Sequence, residues 1–303
     1  MDKFYKTYSI RFDIGDIDYG REKPINVEET IYVTYPLTAE FAIGRSISAG
    51  TNTAMVRIYG LGETKRRLLY KDHVDIRKYI LMTIYAGYDD NLFAIYRGTV
   101  QECYSVRDGG ATEYLTVIDS TDTLLDMFLG KTSATFDKDT STEDKIRGIA
   151  GDLMTLELGK ISKNLRFTQS KRSENLTGRP LENMRDLGTT EDGWMSMSVD
   201  NGKIDFLNEN EVVKDLGILE IDCDRGLLGS PRRRNNYITA ELLFEPQAML
   251  NQMAVLNSKT VPWLNQAYKI MAVSHNGMIS GSKDSALTTT IDLFFGVGEW
   301  IYV

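Results

Sequence analysis

Apolar and polar residues alternate along most of the first 120 positions, and again beyond residue 211. In Phe4–Gly15, Tyr8, Ile10 and Phe12 alternate with Ser9 and Arg11, the period of a half-buried strand. Asn26–Pro36 and Leu37–Ser46 read the same way. Residues 1–50 therefore predict three strands, with polar Asp16–Pro24 as a loop or hairpin tip. In Thr51–Leu61, Ala54, Val56 and Ile58 alternate with Met55, Arg57 and Tyr59. The charged stretch that follows, with Leu68 and Leu69, predicts one or two helical turns. Lys78–Asp90 is rich in β-branched and aromatic residues and predicts a strand ending at Gly87 and an Asp89–Asp90 turn. Asn91–Gly110 predicts a long strand that bends at Gly98 and turns at Asp108–Gly110, and Ala111–Ser120 a final strand. A meander of this kind must curl to bury its apolar face.

The period changes after Ser120. Leu124, Leu125, Met127 and Phe128 stand at helical spacing, with Gly130 as a stop. Ser141 with Asp144 forms a capping arrangement, and Ile146, Ile149, Ala150 and Leu153 mark the buried side of a second helix. Lys160–Arg179 is polar and reads as loop, with one short strand at Asn164–Thr168. Pro180 starts a third helix, whose Leu181, Met184 and Leu187 face one way and whose end is Gly188. Trp194–Asn208 predicts a hairpin around Asp200-Asn201-Gly202. Strands return from Glu211: Val212–Asp222, Asn235–Pro246, Met253–Ser258, Gln266–Gly277 and Ala286–Gly296. The predicted fold class is mainly β with an α+β middle segment. The boundaries are 1–120 for a first β domain, 121–210 for a helical and hairpin domain, and 211–303 for a second β domain. No strict sequence repeat links the two β regions.

Composition changes this picture little. A length of 303 residues, 42% hydrophobic and 26% charged, is ordinary for a folded chain, and sixteen tyrosines favour strands. No run approaches the roughly 20 apolar residues that span a bilayer, and Met1–Gly15 lacks the apolar core of a secretory signal, so membrane insertion is not expected. The net charge of −8 argues against wrapping nucleic acid, whose affinity comes mainly from Lys and Arg on phosphates.

Candidate chemistry is sparse. Cys103 and Cys223 have no partner motif and read as buried free thiols, as in a reducing compartment. His73 and His275 lack metal-ligand spacing and read as surface or strand-end residues. Gly60–Lys65 lacks the spacing of a phosphate loop, and no nucleophile elbow occurs. The pairs Asp89–Asp90 and Asp222/Asp224 read as turns. Arg232-Arg233-Arg234 reads either as a solvated linker or as a basic loop meeting an acidic neighbour. No cofactor, metal or catalytic residue is predicted.

One resemblance organises these pieces. Asn52, Ala54, Ile58, Tyr59 and Leu61, then Ile84–Tyr88, then Ile95, Tyr96, Gly98 and Val100, then Thr116–Ser120, occur in an order that resembles the baseplate hub proteins of contractile-tailed bacteriophages. Gly226–Arg232, Ile238–Gln247 and Ala267–Gly277 extend it towards the C-terminus. The resemblance implies two tail-tube-like β-barrel domains per chain and a homotrimer in the virion tail, assembled in the host cytoplasm. It implies a tail tube protein above, a spike or tail-tip protein below and baseplate wedge proteins as further neighbours. DNA would pass through the lumen without specific binding. The strands expected at the subunit interface are Asn52–Leu61 and Tyr237–Phe244, with Asn52, Ala54, Val56, Ile58, Tyr59, Tyr237, Thr239, Glu241 and Leu243 as interface candidates. Other readings are a tail-associated cell-wall hydrolase using middle-segment carboxylates such as Glu182 or Glu191, a receptor-binding β protein, and a hub-like protein of a non-contractile tail or injection machine.

Overall fold

The computed structural model describes residues 5–18, 25–48, 50–107, 113–163, 172–189, 197–281, 285–296 and 299–303. The N-terminal alternation becomes β1 (Lys6–Ile17), β2 (Ile25–Thr34), β3 (Ala39–Ser46) and β4 (Thr53–Tyr59). A short helix, α1 (Glu63–Leu69), precedes β5 (Lys78–Tyr88), β6 (Asn91–Val106) and β7 (Leu115–Thr121). These seven strands lie in the order β3-β4-β7-β6-β5-β1-β2. Their inward residues, among them Ile10, Phe12, Phe41, Val56, Ile58, Ile84 and Ile118, form one core. The long strand β6 serves two neighbours: Asn91–Thr99 pair with β5 and Thr99–Val106 with β7. Gly98 sits at the hand-over, where a Cβ would lie 2.3 Å from Tyr96 Oη and 2.8 Å from the Thr121 carbonyl oxygen. Only glycine fits so close an approach, which accounts for the bend expected there.

The middle segment carries α2 (Leu124–Phe128), β8 (Thr132–Phe136), α3 (Thr142–Ala150), β9 (Glu157–Ile161), β10 (Glu174–Gly178), α4 (Pro180–Gly188), β11 (Met197–Asp200), β12 (Lys203–Phe206) and β13 (Glu211–Val212). Ser141 Oγ accepts from the Asp144 N–H at 3.1 Å, capping α3 as the sequence predicts. The α3 residues Ile146 and Ile149 pack with Leu181 and Met184 of α4 and Phe206 of β12 in a separate core. Asn201 (φ 47°) and Gly202 (φ 82°) turn the β11–β12 hairpin, the left-handed pair that a two-residue turn requires. Strand β10 falls where the polar pattern read as loop, and β9 runs into the start of that stretch; residues 154–159 carried no expectation. Both strands are five residues long and are held by pairing, β9 to β12 and β10 to β8, rather than by an apolar face of their own. The short strand expected at 164–168 lies outside the described residues.

The C-terminal region adds β14 (Ile218–Asp222), β15 (Leu227–Arg234), β16 (Tyr237–Leu243), β17 (Met253–Asn257), β18 (Ala267–Ile279), β19 (Leu287–Phe294) and β20 (Ile301–Tyr302). They surround a third core that includes Ile238, Leu256, Tyr268, Ile270 and Leu293. Strand β18 is the branch point. Ala267–Lys269 pair with β17, while Ala272–Ile279 pair antiparallel with β3, from Ala272 opposite Ser46 to Ile279 opposite Ala39. The two β regions are thereby one 13-stranded sheet. Neither region closes on itself by strand pairing among the described residues: β2 and β15 end the ladder, and β14 ends its side branch. The expectation of two barrels is not met among the described residues: the strands form two β units with open edges inside one sheet.

Three expectations need correction. Arg232–Arg234 are not a linker but the second half of β15, paired with Tyr237–Thr239. Cys223 is exposed, because it sits in the turn after β14; Cys103 is buried as expected. His275 is fully buried rather than at the surface. Its Nδ1 lies 2.9 Å from Thr289 Oγ1, and Arg45 Nη2 stands 3.4 Å from its Nε2. Burial, and then the Arg45 charge, hold its pKa well below the ordinary value.

Candidate assembly surface

The nine interface candidates divide by face. Ala54, Val56 and Ile58 point into the chain's own core at 2%, 0% and 0% exposure. Both edges of β4 are already taken, by β3 and β7. Tyr59 lies on the opposite face and donates to Glu40 Oε1 at 2.7 Å. Tyr237, Thr239, Glu241 and Leu243 also lie on the outer face of their strand. Tyr237 packs against Phe294 with ring centroids 5.9 Å apart, and Thr239 donates to Asp292 Oδ1 at 2.6 Å. Glu241 and Leu243 are exposed.

Asn52 does something else. It is 3% exposed and joins the end of β3, the start of the middle segment and the β11–β12 hairpin. Its Nδ2 donates to Asp122 Oδ2 and to the Val199 carbonyl, both at 2.7 Å, and its Oδ1 accepts from the Ser46 N–H at 2.8 Å. A second bolt lies beside it. Arg45 donates to Asp200 Oδ1 and to the Ala248 carbonyl at 2.8 Å, while Asp200 Oδ2 accepts from the Leu250 N–H at 3.0 Å. Asn251 Nδ2 adds a bond to Ser198 Oγ at 2.8 Å. The β11–β12 hairpin is thus pinned to both β units through buried polar groups, of which Arg45 Nε and the turn's Asn201 Oδ1 are left without a protein partner. Burial pushes the Asp122 carboxyl up to about 7, against the lowering effect of the Asn52 donors.

The two β units share one connectivity. The order β3-β4-β7-β6-β5-β1 in the first matches β15-β16-β19-β18-β17-β14 in the second. Registers agree residue by residue. Thr53 faces Thr121 as Tyr237 faces Phe294, and Ile58 faces Thr116 as Leu242 faces Thr289. The same bulge recurs: β6 slips between Val100 and Glu102 against β7, and β18 between Ile270 and Ala272 against β19. Inward polar pairs recur as well, Ser105 Oγ with Thr116 Oγ1 at 2.9 Å and His275 Nδ1 with Thr289 Oγ1 at 2.9 Å. Thr116–Asp119 (TVID) and Thr289–Asp292 (TTID) are the trace of this in sequence. It is too short to find without the register. The match departs at its two ends: β15 bulges between Leu228 and Arg232 where β3 pairs without a break, and β1 is antiparallel to β5 but β14 is parallel to β17.

The outer face of the shared sheet is mostly polar, with Met55, Tyr104, Val106 and Leu243 as exposed apolar side chains on it. It carries Ala42, Asn276, Ser274, Thr288 and Thr290, with carboxylates at Glu40, Glu102, Asp119, Glu241 and Asp292, and arginines at 57, 232 and 234. No group of three or more His, Cys, Asp or Glu able to hold a metal occurs among the described residues. Among the middle-segment carboxylates, Glu182 is exposed and ion-paired with Arg179 at 3.0 Å, whereas Glu191 lies outside the described residues. Asp222 serves its turn, accepting from the Arg225 N–H at 2.8 Å. No described helix is long and apolar enough to cross a membrane.

An open antiparallel sheet of two like units, pinned by an α+β insert, defines a class with solved members. The chain superposes on the 43 kDa tail protein of prophage MuSo2 from Shewanella oneidensis with a TM-score of 0.55 and 9% identity, over 97% of this chain and 99% of that one. It superposes on a tail protein from Neisseria meningitidis MC58 with a TM-score of 0.56 and 7% identity, over 98% and 99%. A chain of the Francisella PdpA–VgrG complex matches with a TM-score of 0.52 and 10% identity; this chain covers 60% of it. The protein thus has, over its full length, the fold of phage tail proteins. No protein-family model and no curated protein matches the sequence.

Proposed function

We propose that this chain is a structural subunit of a phage tail baseplate hub. Three copies form a ring that joins the sixfold tail tube to a threefold spike or tail-tip protein, with wedge proteins as further neighbours, and DNA passes through its lumen. The observation that carries this reading is the repetition of one β unit twice in a single chain, edge to edge through β3 and β18. Three such chains present six like units around an axis, the symmetry a tube above and a spike below require. The units span residues 1–120 and 211–303, and residues 121–210 brace them from outside the ring.

The interface strands named from sequence keep a part in this assembly through their outward residues. Met55, Arg57, Thr239 and Glu241 lie on the face assigned to the lumen wall, while Ala54, Val56 and Ile58 hold the wall's shape from behind. A wall with five carboxylates and three arginines among mostly polar side chains gives DNA no continuous basic track to bind. The role is mechanical and needs no catalytic group.

Mass photometry of the purified protein, followed by imaging of the assembled tail with this chain labelled, tests the proposal. A trimer, and density at the junction of tube and spike, are expected. A chain that stays monomeric at micromolar concentration, or a label on the tail fibres, overturns it.

A further inference from the structure

The in-chain seam between β3 and β18 has counterparts that are left unpaired. β15 corresponds to β3, and β6 corresponds to β18, by the registers given above. β15 ends the ladder, with no strand on its outer edge among the described residues. The C-terminal half of β6 is paired with β7 on one side; on the other, among the described residues, its only strand-type pairing is an isolated bridge from Lys71 to Cys103, with α1 packed nearby. We infer that these two edges meet between neighbouring copies of this chain, head to tail, in the register of the in-chain seam. Arg232, Arg233 and Arg234 of one copy then stand opposite Val106, Ser105 and Tyr104 of the next. In the same register, Ala42, Ile43 and Gly44 stand opposite Asn276, His275 and Ser274 within the chain. This rests on the ring reading of the preceding subsection and gives it its contact.

Three features fit the joint. Lys71 occupies the place on β6 that Arg45 takes opposite Val273 in the seam. β15 stops one residue short of that place: its strand ends at Arg234 and the chain turns at Asn235 (φ 49°). The incoming strand and the Lys71 bridge therefore follow one another along the edge instead of competing. Tyr104 and Val106, 37% and 46% exposed, are large side chains left open beside this edge, and a neighbouring strand would cover them. Charge also matches. Arg234 comes one diagonal step from Glu102 of the neighbour, within reach of a cross-strand pair. A free edge that carries arginines resists pairing with itself, which favours the heterologous joint over a symmetric one.

Paired cysteines read this register directly. In a Cys223→Ser background, Arg234→Cys and Tyr104→Cys together place two thiols on directly opposed positions, about 5 Å apart between Cβ atoms. That is near the span of a disulfide. Mild oxidation is expected to give a covalent closed trimer mapped to that bond, and neither single cysteine should do so. Native mass is read separately on the unoxidised double variant. A native trimer without this cross-link, or with the bond mapped elsewhere, overturns the joint and leaves the ring standing. A native monomer overturns both. Arg232→Glu with Arg234→Glu provides a second arm. The melting temperature should stay put, since both side chains are exposed, while trimer dissociation rises at least about tenfold. Unchanged assembly contradicts the pairing.

Discussion

Asn52 was expected at a subunit contact, and its side chain instead holds three segments of one chain together. Its alanine variant removes two donated bonds and one accepted bond from a buried site, leaving Asp122 and the Ser46 N–H short of partners. A loss of about 2–3 kcal/mol is expected in urea unfolding, with the helices of the middle segment loosening first. Asp122 sets a pH dependence of definite sign. Its folded pKa is about 7, against an ordinary 3.8. Between those values the folded chain binds more protons at this site than the unfolded chain. The group's contribution to stability therefore falls as pH rises from about 4 to about 7, and is flat outside that window. Asp122→Asn removes the slope whatever it does to absolute stability. The difference, variant minus parent, should grow by ~2–4 kcal/mol between pH 4.5 and 7.5. Equal differences at the two pH values would mean that Asp122 is ionised throughout.

At the level of elements, what could be read from sequence was whatever has a local period. The alternations in β1, β4 and β16, the β-branched and aromatic run of β5, the Ser141 cap, the Pro180 start and the Asn201–Gly202 turn all leave a signature within a few residues. The β3–β18 seam leaves none, because its two strands lie at opposite ends of the chain and each reads only as a strand. β15 was hidden for another reason. Its single buried residue is Pro231, and a bulge over Gly229–Pro231 erases any alternation. Edge strands need no apolar face, so patterning overlooks them. Ala54, Val56 and Ile58 form a core-facing row; period alone fixes which residues share a face, not where that face points. The seam should behave as a full ladder. Hydrogen exchange is expected to protect the amides of Ala272–Ile279 as strongly as those of β19. Early exchange there, with both units otherwise protected, would show two loosely docked halves.

For the molecule as a whole, the polar outer face and the net charge of −8 point the same way. The purified protein should give no shift of duplex DNA in a gel at physiological salt. Tight, salt-sensitive binding would contradict a passage that lets DNA slide. The insert of residues 121–210 has its own core and meets the β units through the polar bolts around Asn52 and Arg45 and through an apolar contact of Leu125 with Ile17, Tyr79 and Leu81. In the proposed ring it would stiffen the wall without adding to the lumen.

The branching of β18 has a mechanical corollary. One uninterrupted strand is gripped by β17, β19 and β3, so twisting one half of the chain against the other would have to shear several backbone bonds at once. In the proposed ring, any widening during ejection would therefore be pushed out to the joints between copies, where a single short stretch of strand would have to yield.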